Sequence, residues 1–323
     1  MDFTRLLAGP VVAAMLAFAP GVHAATDVVI TPLGSHDGEF CAADRAMIFE
    51  DPDGTRILYD AGRTVRGADD PRLGRIDAVL LSHAHGDHLG DQHAATANNG
   101  TCARPEYGVM DAPNSNTVNI VVAKKAKLLV GGEMNAFFQQ KLRSLNADPT
   151  LVVTLRFGAS SKIGGVTISS VPAVHSNGVD PSFLTGDLAM SMKANGLTAD
   201  LGPAGGYVVQ FTNGLVVYLS GDTGVTADQE LVVRRLYKPQ LAVLNIGGTF
   251  TVGPKEAAYV IDDLVKPKAV IPSHANEAST QDGKPVAGSR LEAFGKAVHV
   301  PVYLPLSGKS MTIDGQGKCV AGC

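Results

Sequence analysis

The chain has 323 residues, of which 45% are hydrophobic and 18% are charged, and its formal net charge is −4. This length and apolar content suffice for a large buried core, which excludes a disordered chain and a minimal disulfide scaffold. The charge balance argues against a nucleic-acid partner, because Lys and Arg are dispersed and the one tight basic cluster, residues 124–127, is predicted to be an exposed helix edge.

The first 24 residues have the pattern of an export signal. Arg5 precedes an apolar run over residues 6–19, and a Val-His-Ala sequence before Ala25 fits a cleavage site. We therefore expect a periplasmic or secreted protein in which residues 25–323 form a single domain. An uncleaved anchor is the alternative, because the positive charge before the run is weak. No later apolar run has membrane-spanning length, so we expect no membrane contact after cleavage.

Short apolar runs and amphipathic stretches follow along the rest of the chain, with no Pro- or Ser-rich linker between its two halves. Strands are predicted over 28–33, 45–49, 56–59, 78–81, 117–122, 127–130, 151–155, 166–171, 207–212, 215–219, 241–245, 269–271, 300–304 and 310–313. An Asn-Gly turn at residues 213–214 predicts a hairpin. Helices are predicted over 133–146, 227–236, 255–264 and 289–297.

Residues 82–88, Ser-His-Ala-His-Gly-Asp-His, place three imidazoles and a carboxylate directly behind an apolar strand. Because side chains two apart along an extended chain share a side, His83 and His85 point together, while Asp87 and His88 point elsewhere. One loop can therefore contribute ligands to two metal ions. Neutral imidazoles and a carboxylate suit zinc, with manganese and iron as alternatives.

The His-x-His-x-Asp-His sequence resembles the metal motif of the metallo-β-lactamase superfamily, and further matches occur in the order of that family. Asp60 lies in an upstream Asp-x-Gly turn, and His175, Asp222 and His274 each follow a short β-branched run. The resemblance covers most of the chain after the signal. It implies an α/β (α+β) fold, the four-layer αββα sandwich in which helices cover two sheets.

The resemblance also implies a dinuclear site. One metal ion would be held by His83, His85 and His175, a second by Asp87, His88 and His274, and Asp222 would bridge the two. Two such cations can share a water, lower its pKa and supply a hydroxide nucleophile, so no Ser or Cys nucleophile is required.

Other polar residues near the motif receive lesser roles. Asp87 is the predicted catalytic residue, a ligand that also orients the water or returns a proton. Asp60 is expected to hold an imidazole N–H rather than the metal. His36 is an additional candidate for the cleft, whereas His93 on a loop surface and His299 in a strand are assigned no role.

The motif set, with Gly-Asp-Thr at 221–223 and Gly-Gly-Thr-Phe-Thr at 247–251, resembles the ascorbate-6-phosphate lactonase group. This implies an exported hydrolase acting on a small ester or lactone. A phosphodiesterase is the first alternative. A β-lactamase ranks lower, because Asp222 stands where many zinc β-lactamases have Cys or Ser. A metal-binding protein without turnover is the non-enzymatic alternative, and ribonuclease Z is disfavoured by export and by the lack of a basic arm.

Two segments interrupt the family-like core directly after metal-binding loops, and we predict that both lie near the cleft. Residues 91–117 are rich in Asn, Gly and Pro, and residues 176–206 carry apolar side chains suited to a lid, notably Phe183, Leu184, Met190 and Met192. The alternative is that both segments only pack on the protein body. The paired glycines at 247–248 would let backbone approach a ligand closely.

Four cysteines in an exported chain predict disulfides, and four allow three pairings. We favour Cys41 with Cys102, which flank the metal-binding half, and Cys319 with Cys323, which share a short Gly-rich tail. A metal-binding Cys-x-x-x-Cys tail is the alternative, although no His lies near it.

Overall fold

A computed structural model of the chain describes residues 26–323 and, before them, only Met1. The predicted export signal and its cleavage site therefore lie outside the described residues. Within the described part of the chain, no helix is both long enough and apolar enough to cross a membrane.

The first sheet has eight strands. In spatial order they are Val152–Thr154, Lys127–Val130, Ala78–Leu80, Arg56–Tyr59, Met47–Glu50, Val28–Pro32, Met311–Ile313 and Cys319–Ala321. The first four of these run parallel to one another, and every later pairing is antiparallel. Every residue of Ala78–Leu80 is buried, as expected for a central parallel strand whose two faces are both covered.

The second sheet has six strands. Their spatial order is Ser160–Ile163, Val166–Pro172, Gly205–Gln210, Val216–Leu219, Leu241–Asn245 and Ala269–Ser273. The last three are parallel and the others are antiparallel. The predicted Asn-Gly hairpin is confirmed, since a tight turn ending at Gly214 in the left-handed region joins the third and fourth strands.

Helices cover the outer face of each sheet. Asn116–Lys124 and Met134–Ser144 lie on the first sheet, and the helical segments Gln229–Tyr237, Pro254–Tyr259, Val260–Val265 and Arg290–Ala297 lie on the second. The remaining helical segments of the described residues are three short ones, Gly86–Leu89, Pro149–Leu151 and Pro181–Phe183, and the nine-residue helix Gly186–Ala194. Two-residue strands form four small hairpins, Gln92–His93 with Val109–Met110, Gly100–Thr101 with Arg104–Pro105, Gly178–Val179 with Ala199–Asp200, and Thr280–Gln281 with Lys284–Pro285.

Three apolar cores separate these layers. Alternation along the strands directs Leu129 into the core between the sheets and Leu128 toward the helices of the first sheet. On the second sheet, Val217 faces the inner core and Tyr218 faces the outer helices. The order is therefore helices, sheet, sheet, helices, and the predicted four-layer αββα sandwich is confirmed.

Two predicted strands are wrong. Residues 117–122 belong to the helix Asn116–Lys124, where the Ser115 hydroxyl accepts a hydrogen bond from the Val118 N–H and caps the first turn. A β-branched composition favoured a strand there, but packing against the first sheet overrides that weak preference. Residues 300–304 make only an isolated bridge at Val302, because Pro301 cannot donate a ladder hydrogen bond.

The two predicted disulfides are confirmed. Cys41 bonds Cys102, Cys319 bonds Cys323, and no cysteine of the described residues is free. The second bond closes the tail that carries the last strand of the first sheet. The proposed Cys-x-x-x-Cys metal site is therefore wrong, because both thiols are consumed.

Asp70 is a buried carboxylate whose pairing predicts acid sensitivity. Its oxygens accept hydrogen bonds from the guanidinium groups of Arg66 and Arg72 and from both of their backbone N–H groups. Burial alone would raise the pKa of Asp70, but Arg72 and these N–H donors outweigh it and hold the pKa well below its ordinary value. The stabilisation is therefore present above the unfolded pKa of about 3.9 and is lost as the pH falls below it.

We expect Asp70→Asn to lower the free energy of unfolding by about 2 kcal/mol or more at pH 7, because two partly buried guanidinium groups lose their counter-charge. Denaturant titrations at pH 7 and pH 3 measure this difference, which should shrink at the lower pH. The exposed neighbour Asp69 offers a matched control. Equal stability of Asp70→Asn and Asp69→Asn at pH 7 would contradict the expectation.

Candidate metal centre

The predicted metal loop begins where a central strand of the first sheet ends. Ala78–Leu80 leads into Ser82 and His83, and the short helix Gly86–Leu89 carries Asp87 and His88. The turn at Gly62 packs directly against this helix, since the Gly62 N–H donates to the His88 carbonyl, and a Cβ at Gly62 would lie 2.5 Å from the Asp87 carbonyl oxygen. Gly62 therefore allows the Asp60 turn to support the loop from behind.

The other three predicted ligands follow strands of the second sheet. His175 comes after Val166–Pro172, Asp222 after Val216–Leu219, and His274 after Ala269–Ser273. These three strands point the same way in the sheet, so their carboxyl ends meet at one edge. The His274 backbone has φ 51°, a left-handed conformation that is unfavourable for a residue with a Cβ and is typical of functional sites.

The structure brings all seven predicted residues together. Ligand-type atoms lie within 4.8 Å of one another in three groups, which are His83 with His85 and His175, His83 with His88 and Asp222, and Asp87 with His88 and His274. The first and third groups are the two predicted ligand sets. Asp222 lies between them, with Oδ1 3.3 Å from His88 Nε2, and with Oδ2 3.0 Å from His274 Nε2 and 3.8 Å from His175 Nε2.

These donors fit divalent cations. His83 Nε2, His88 Nε2 and His274 Nε2 are buried and have no hydrogen-bond partner among the described residues, an arrangement that is costly unless something else binds them. His85 Nδ1 lies 3.3 Å from His175 Nε2. Two nitrogens bound to one tetrahedral zinc ion at about 2.0–2.1 Å are separated by a similar distance. The residues therefore match a nitrogen and oxygen site for zinc, manganese or iron.

The electrostatics of the site favour unprotonated imidazoles at the first cluster. Burial, reinforced by the neighbouring His88, holds the pKa of His83 well below its ordinary value. Burial and the facing imidazole of His175 also lower the pKa of His85, and burial lowers that of His175. Neutral imidazoles keep the lone pairs that a cation binds.

Asp60 supports two ligands without joining either cluster. Its Oδ2 accepts from His88 Nδ1 at 2.8 Å and from the Ser82 hydroxyl at 2.8 Å, and Ser82 Oγ lies 2.9 Å from His83 Nδ1. Its Oδ1 accepts from the Ser82 N–H. One buried carboxylate thus holds the far side of two imidazole rings and leaves their Nε2 atoms directed into the site, the supporting position predicted for it.

Replacing Asp60 with Asn should lower metal affinity by about 10- to 100-fold, because the amide weakens the orientation of His88 and places a donor where an acceptor is required. Competition with a fluorescent chelator measures this affinity. Asp51→Asn is the matched control, since Asp51 is also buried and accepts from Thr212 but contacts none of the seven residues. Unchanged affinity in Asp60→Asn would refute the supporting role.

Three further histidines lie outside the two clusters. His36 lies 3.1 Å from Ser35 Oγ and faces the Gly100 carbonyl; it belongs to neither cluster, and its approach to the cleft stays a prediction. His93 is not on a loop surface, since its Nδ1 lies 2.6 Å from Asp111 Oδ2 and its ring is mostly buried. His299 is exposed outside any strand and pairs with Asp262.

The two insertions behave differently from each other. Residues 103–105 and Tyr107, within the first insertion, line a cavity that also contains Asp87, as predicted. In the second insertion, Ser176 and Asn177 contact the metal loop, but Phe183 is buried in the outer core of the first sheet and Leu184 packs against that core. The prediction that these two apolar side chains belong to a lid is therefore wrong. Met190 is exposed and Met192 is half-buried, and their lid role stays a prediction.

Several contributors to the site have no sequence signature. Arg45 Nη2 lies 2.8 Å from Asp87 Oδ2, although the sequence suggested only the start of a strand at that position. The Asn177 side chain accepts from the Ala84 N–H at 2.7 Å and anchors the metal loop. Both residues are distant in sequence from the motif, so only the fold reveals them.

Comparison with known proteins decides the family. Residues 55–275 match the family described as Beta-lactamase superfamily domain. The match covers more than half of the chain and includes all seven predicted ligands. The chain belongs to the metallo-β-lactamase superfamily. Its motif, its αββα sandwich and its His and Asp clusters are consistent with that membership.

Relatives within the metallo-β-lactamase superfamily are metal-dependent hydrolases. The chain is 31% identical over 267 residues to a UPF0173 metal-dependent hydrolase of Cupriavidus necator, covering 79% of this chain and 78% of the relative. It is also 31% identical over 255 residues to a UPF0173 metal-dependent hydrolase of Thermococcus onnurineus, covering 76% of this chain and 91% of the relative. The protein is accordingly a metal-dependent hydrolase.

Solved structures of the metallo-β-lactamase fold agree with the architecture. A metallo hydrolase from Ignicoccus hospitalis has a TM-score of 0.58 at 20% identity, covering 88% of this chain and 99% of that one. An isothiocyanate hydrolase from Delia radicum gut bacteria has a TM-score of 0.53 at 15% identity, covering 89% and 99%. At these identities the similarity concerns the fold alone.

Proposed function

We propose that the chain is an exported hydrolase that holds two divalent cations and cleaves a small ester or lactone. Zinc is the preferred metal of this proposal, and manganese and iron are the alternatives. The observation that carries the proposal is the position of Asp222 within reach of both ligand clusters. When bound, such cations polarise a substrate oxygen and lower the pKa of a water toward neutrality. His83, His85 and His175 would hold one cation, and Asp87, His88 and His274 the other.

Asp87 is the most exposed ligand of the second cluster. Its side chain is 27% exposed, whereas those of His88, Asp222 and His274 are 5% exposed or less. Burial would raise the pKa of Asp87, but Arg45 and His88 outweigh it and hold the pKa well below its ordinary value. Asp87 is therefore a carboxylate at neutral pH, and its Oδ2 can accept a hydrogen bond from a water that attacks the substrate and so orient it.

The chain's own nucleophiles support water as the attacking group. All four cysteines are paired in disulfides. Ser82, the serine inside the metal motif, donates its hydroxyl proton to Asp60 and is 3% exposed, so it is unavailable to a substrate. The cavity beside Asp87 measures about 300 Å³, which favours a small substrate.

The two disulfides also support export, because such bonds persist in oxidising compartments. Expression of the full chain in a Gram-negative host, followed by periplasmic extraction and intact-mass measurement, tests this. We expect a mature protein that begins at Ala25 and contains no thiol that iodoacetamide alkylates. A protein that retains residues 1–24, or that alkylates at Cys41 or Cys102, would contradict export.

Metal analysis tests the dinuclear centre. We expect about two metal ions per chain after reconstitution with zinc, and the same after reconstitution with manganese or iron, because two ligand sets are present. A stoichiometry of one or less for every metal would contradict it.

A hydrolysis panel then separates the ester and lactone proposal, and its motif resemblance to the ascorbate-6-phosphate lactonase group, from the alternatives. Carboxylic esters, lactones, phosphodiesters and β-lactams are compared with His85→Ala as the metal-site control. We expect esters or lactones to be cleaved fastest. Faster cleavage of phosphodiesters would favour the first alternative, and no turnover of any class by the dinuclear protein would favour a metal-binding protein without catalysis.

A further inference from the structure

A cavity of about 300 Å³ adjoins the metal centre on the side of Asp87, and its lining is strongly cationic. Asp87 is its one carboxylate, and three guanidinium groups line it with Tyr107 and Asn276, namely those of Arg45, Arg63 and Arg104. Polar groups dominate its walls, whereas most small-molecule pockets are mainly apolar. A part of the substrate that binds here would lie against these guanidinium groups, next to the metal ligands.

Arg45 is the buried element of this cavity. Its side chain is 7% exposed, and its Nη2 makes contacts to Asp87 at 2.8 Å and to Asn276 Oδ1 at 3.2 Å. Its Nε is buried without a hydrogen-bond partner among residues 26–323. A guanidinium presents five donors in a fixed fork, so Arg45 retains donor capacity that its protein neighbours do not satisfy.

The other two arginines are held differently. Arg63 is fixed by Asp91, through Nε at 2.6 Å and Nη2 at 2.8 Å, and its Cζ lies 5.7 Å from the centre of the Tyr107 ring. Arg104 is exposed and makes no ion pair with any described residue. Arg63 is thus neutralised by Asp91, and Arg45 faces the predicted metal ligand Asp87. The guanidinium group of Arg104 is available to an incoming anion.

The Cys41–Cys102 disulfide joins the two walls of the cavity. Ala42, Ala43 and Arg45 follow one cysteine, and Ala103, Arg104, Pro105 and Tyr107 follow the other. The Ala42 N–H also donates to the Cys102 carbonyl at 3.0 Å. The disulfide and this hydrogen bond therefore fix the two loops relative to each other, and the arginines they carry are preorganised for a ligand.

We propose that this cavity recognises an oxyanion on the substrate, a carboxylate or a phosphate group, and that Arg45 and Arg104 are its specificity-determining residues. The proposal deepens the hydrolase function proposed above and rests on it for the identity of the scissile bond. Planar guanidinium groups bind such oxyanions through paired, charge-assisted hydrogen bonds. A substrate bound this way places its anionic group on the Asp87 side and its scissile bond over the metal ligands.

Matched ester substrates test the proposal on the metal-loaded protein. 4-Nitrophenyl acetate is neutral at the acyl end, whereas mono-4-nitrophenyl succinate carries a carboxylate there. We expect wild-type protein to prefer the succinate ester, and Arg104→Gln to lower its kcat/KM through KM while the acetate ester changes less than about twofold. Combining Arg45→Lys with Arg104→Gln should remove at least about tenfold of the preference, because fork-shaped donors are lost.

Arg235→Gln is the charge-matched control, because Arg235 is exposed on an outer helix and is absent from the cavity lining. Isothermal titration of inorganic phosphate and of succinate into the same metal-loaded proteins supplies a readout that needs no turnover. Tighter binding of phosphate than of succinate would assign the anion to a phosphate-bearing substrate, and the reverse to a carboxylate. In either case Arg104→Gln should weaken binding more than Arg235→Gln does.

The failures of the two proposals are distinguishable. If both esters are cleaved but the succinate ester is not preferred, the hydrolase proposal stands and the oxyanion site is wrong. If no ester or lactone is cleaved but anion binding depends on Arg104, the oxyanion site stands and the ester proposal is wrong. If Arg104→Gln and Arg235→Gln changed anion binding and substrate preference equally, the preference would reflect the overall charge of the protein rather than the cavity. That result would overturn the inference.

Discussion

Asp222→Asn should abolish the proposed dinuclear centre and reduce hydrolysis by more than about 10³-fold. Removal of a single preorganised transition-state donor already costs about 10²- to 10³-fold in other enzymes, and Asp222 contacts members of both clusters. The amide has nearly the same shape, so the buried packing around it is retained. Initial rates and metal content per chain measure the two effects together.

The control for this change is Asp263→Asn, which removes an exposed carboxylate from an outer helix. We expect that variant to keep wild-type metal content and rate. The bridging role of Asp222 would be contradicted if Asp222→Asn retained two metal ions per chain, and the hydrolytic role of the centre would be contradicted if the rate were unchanged while metal was lost.

Removal of the Cys41–Cys102 disulfide should lower the free energy of unfolding by about 4 kcal/mol. The bond spans 61 positions of sequence, and a cross-link of that span removes about this much loop entropy from the unfolded chain. Such a loss is a large fraction of the 5–15 kcal/mol that stabilises a typical domain. Denaturant titration of the Cys41→Ser, Cys102→Ser double variant measures it.

The second disulfide provides the internal comparison. Cys319 and Cys323 are four positions apart, so the corresponding double variant should lose only about 2 kcal/mol. Equal losses from the two variants would contradict the loop-entropy explanation. Because the first bond also joins the cavity walls, its removal should raise KM for an anionic substrate while metal content, set by the ligand clusters, stays unchanged.

The candidate metal ligands and the family-level fold could be predicted from residue types and their spacing alone. A contiguous His-x-His-x-Asp-His loop behind an apolar strand specifies the ligand types locally, and His175, Asp222 and His274 were recognisable because each follows a short apolar run. Strands such as 56–59, 127–130 and 241–245 were predicted at their observed bounds, since short buried strands carry strong β-branched and apolar patterns.

Elsewhere the local pattern was ambiguous. Residues 117–122 have the composition of a strand, but a cap at Ser115 and the outer face of the first sheet make them helical. Phe183 lies in an irregular, Gly-flanked segment typical of a lid, yet it fills the outer core. In both cases burial against distant residues outweighs a local preference that is worth only tenths of a kcal/mol per residue.

The residues that surround the ligands could be identified only from the folded chain. Arg45, Arg63 and Tyr107 lie in three different segments, and none belongs to a motif that the sequence displays. Their proximity depends on sheet order, on the Cys41–Cys102 bond and on the path of the first insertion. Ligand chemistry is encoded in residue type at short spacing, whereas the electrostatics of a substrate cavity arise from contacts between segments far apart in the chain.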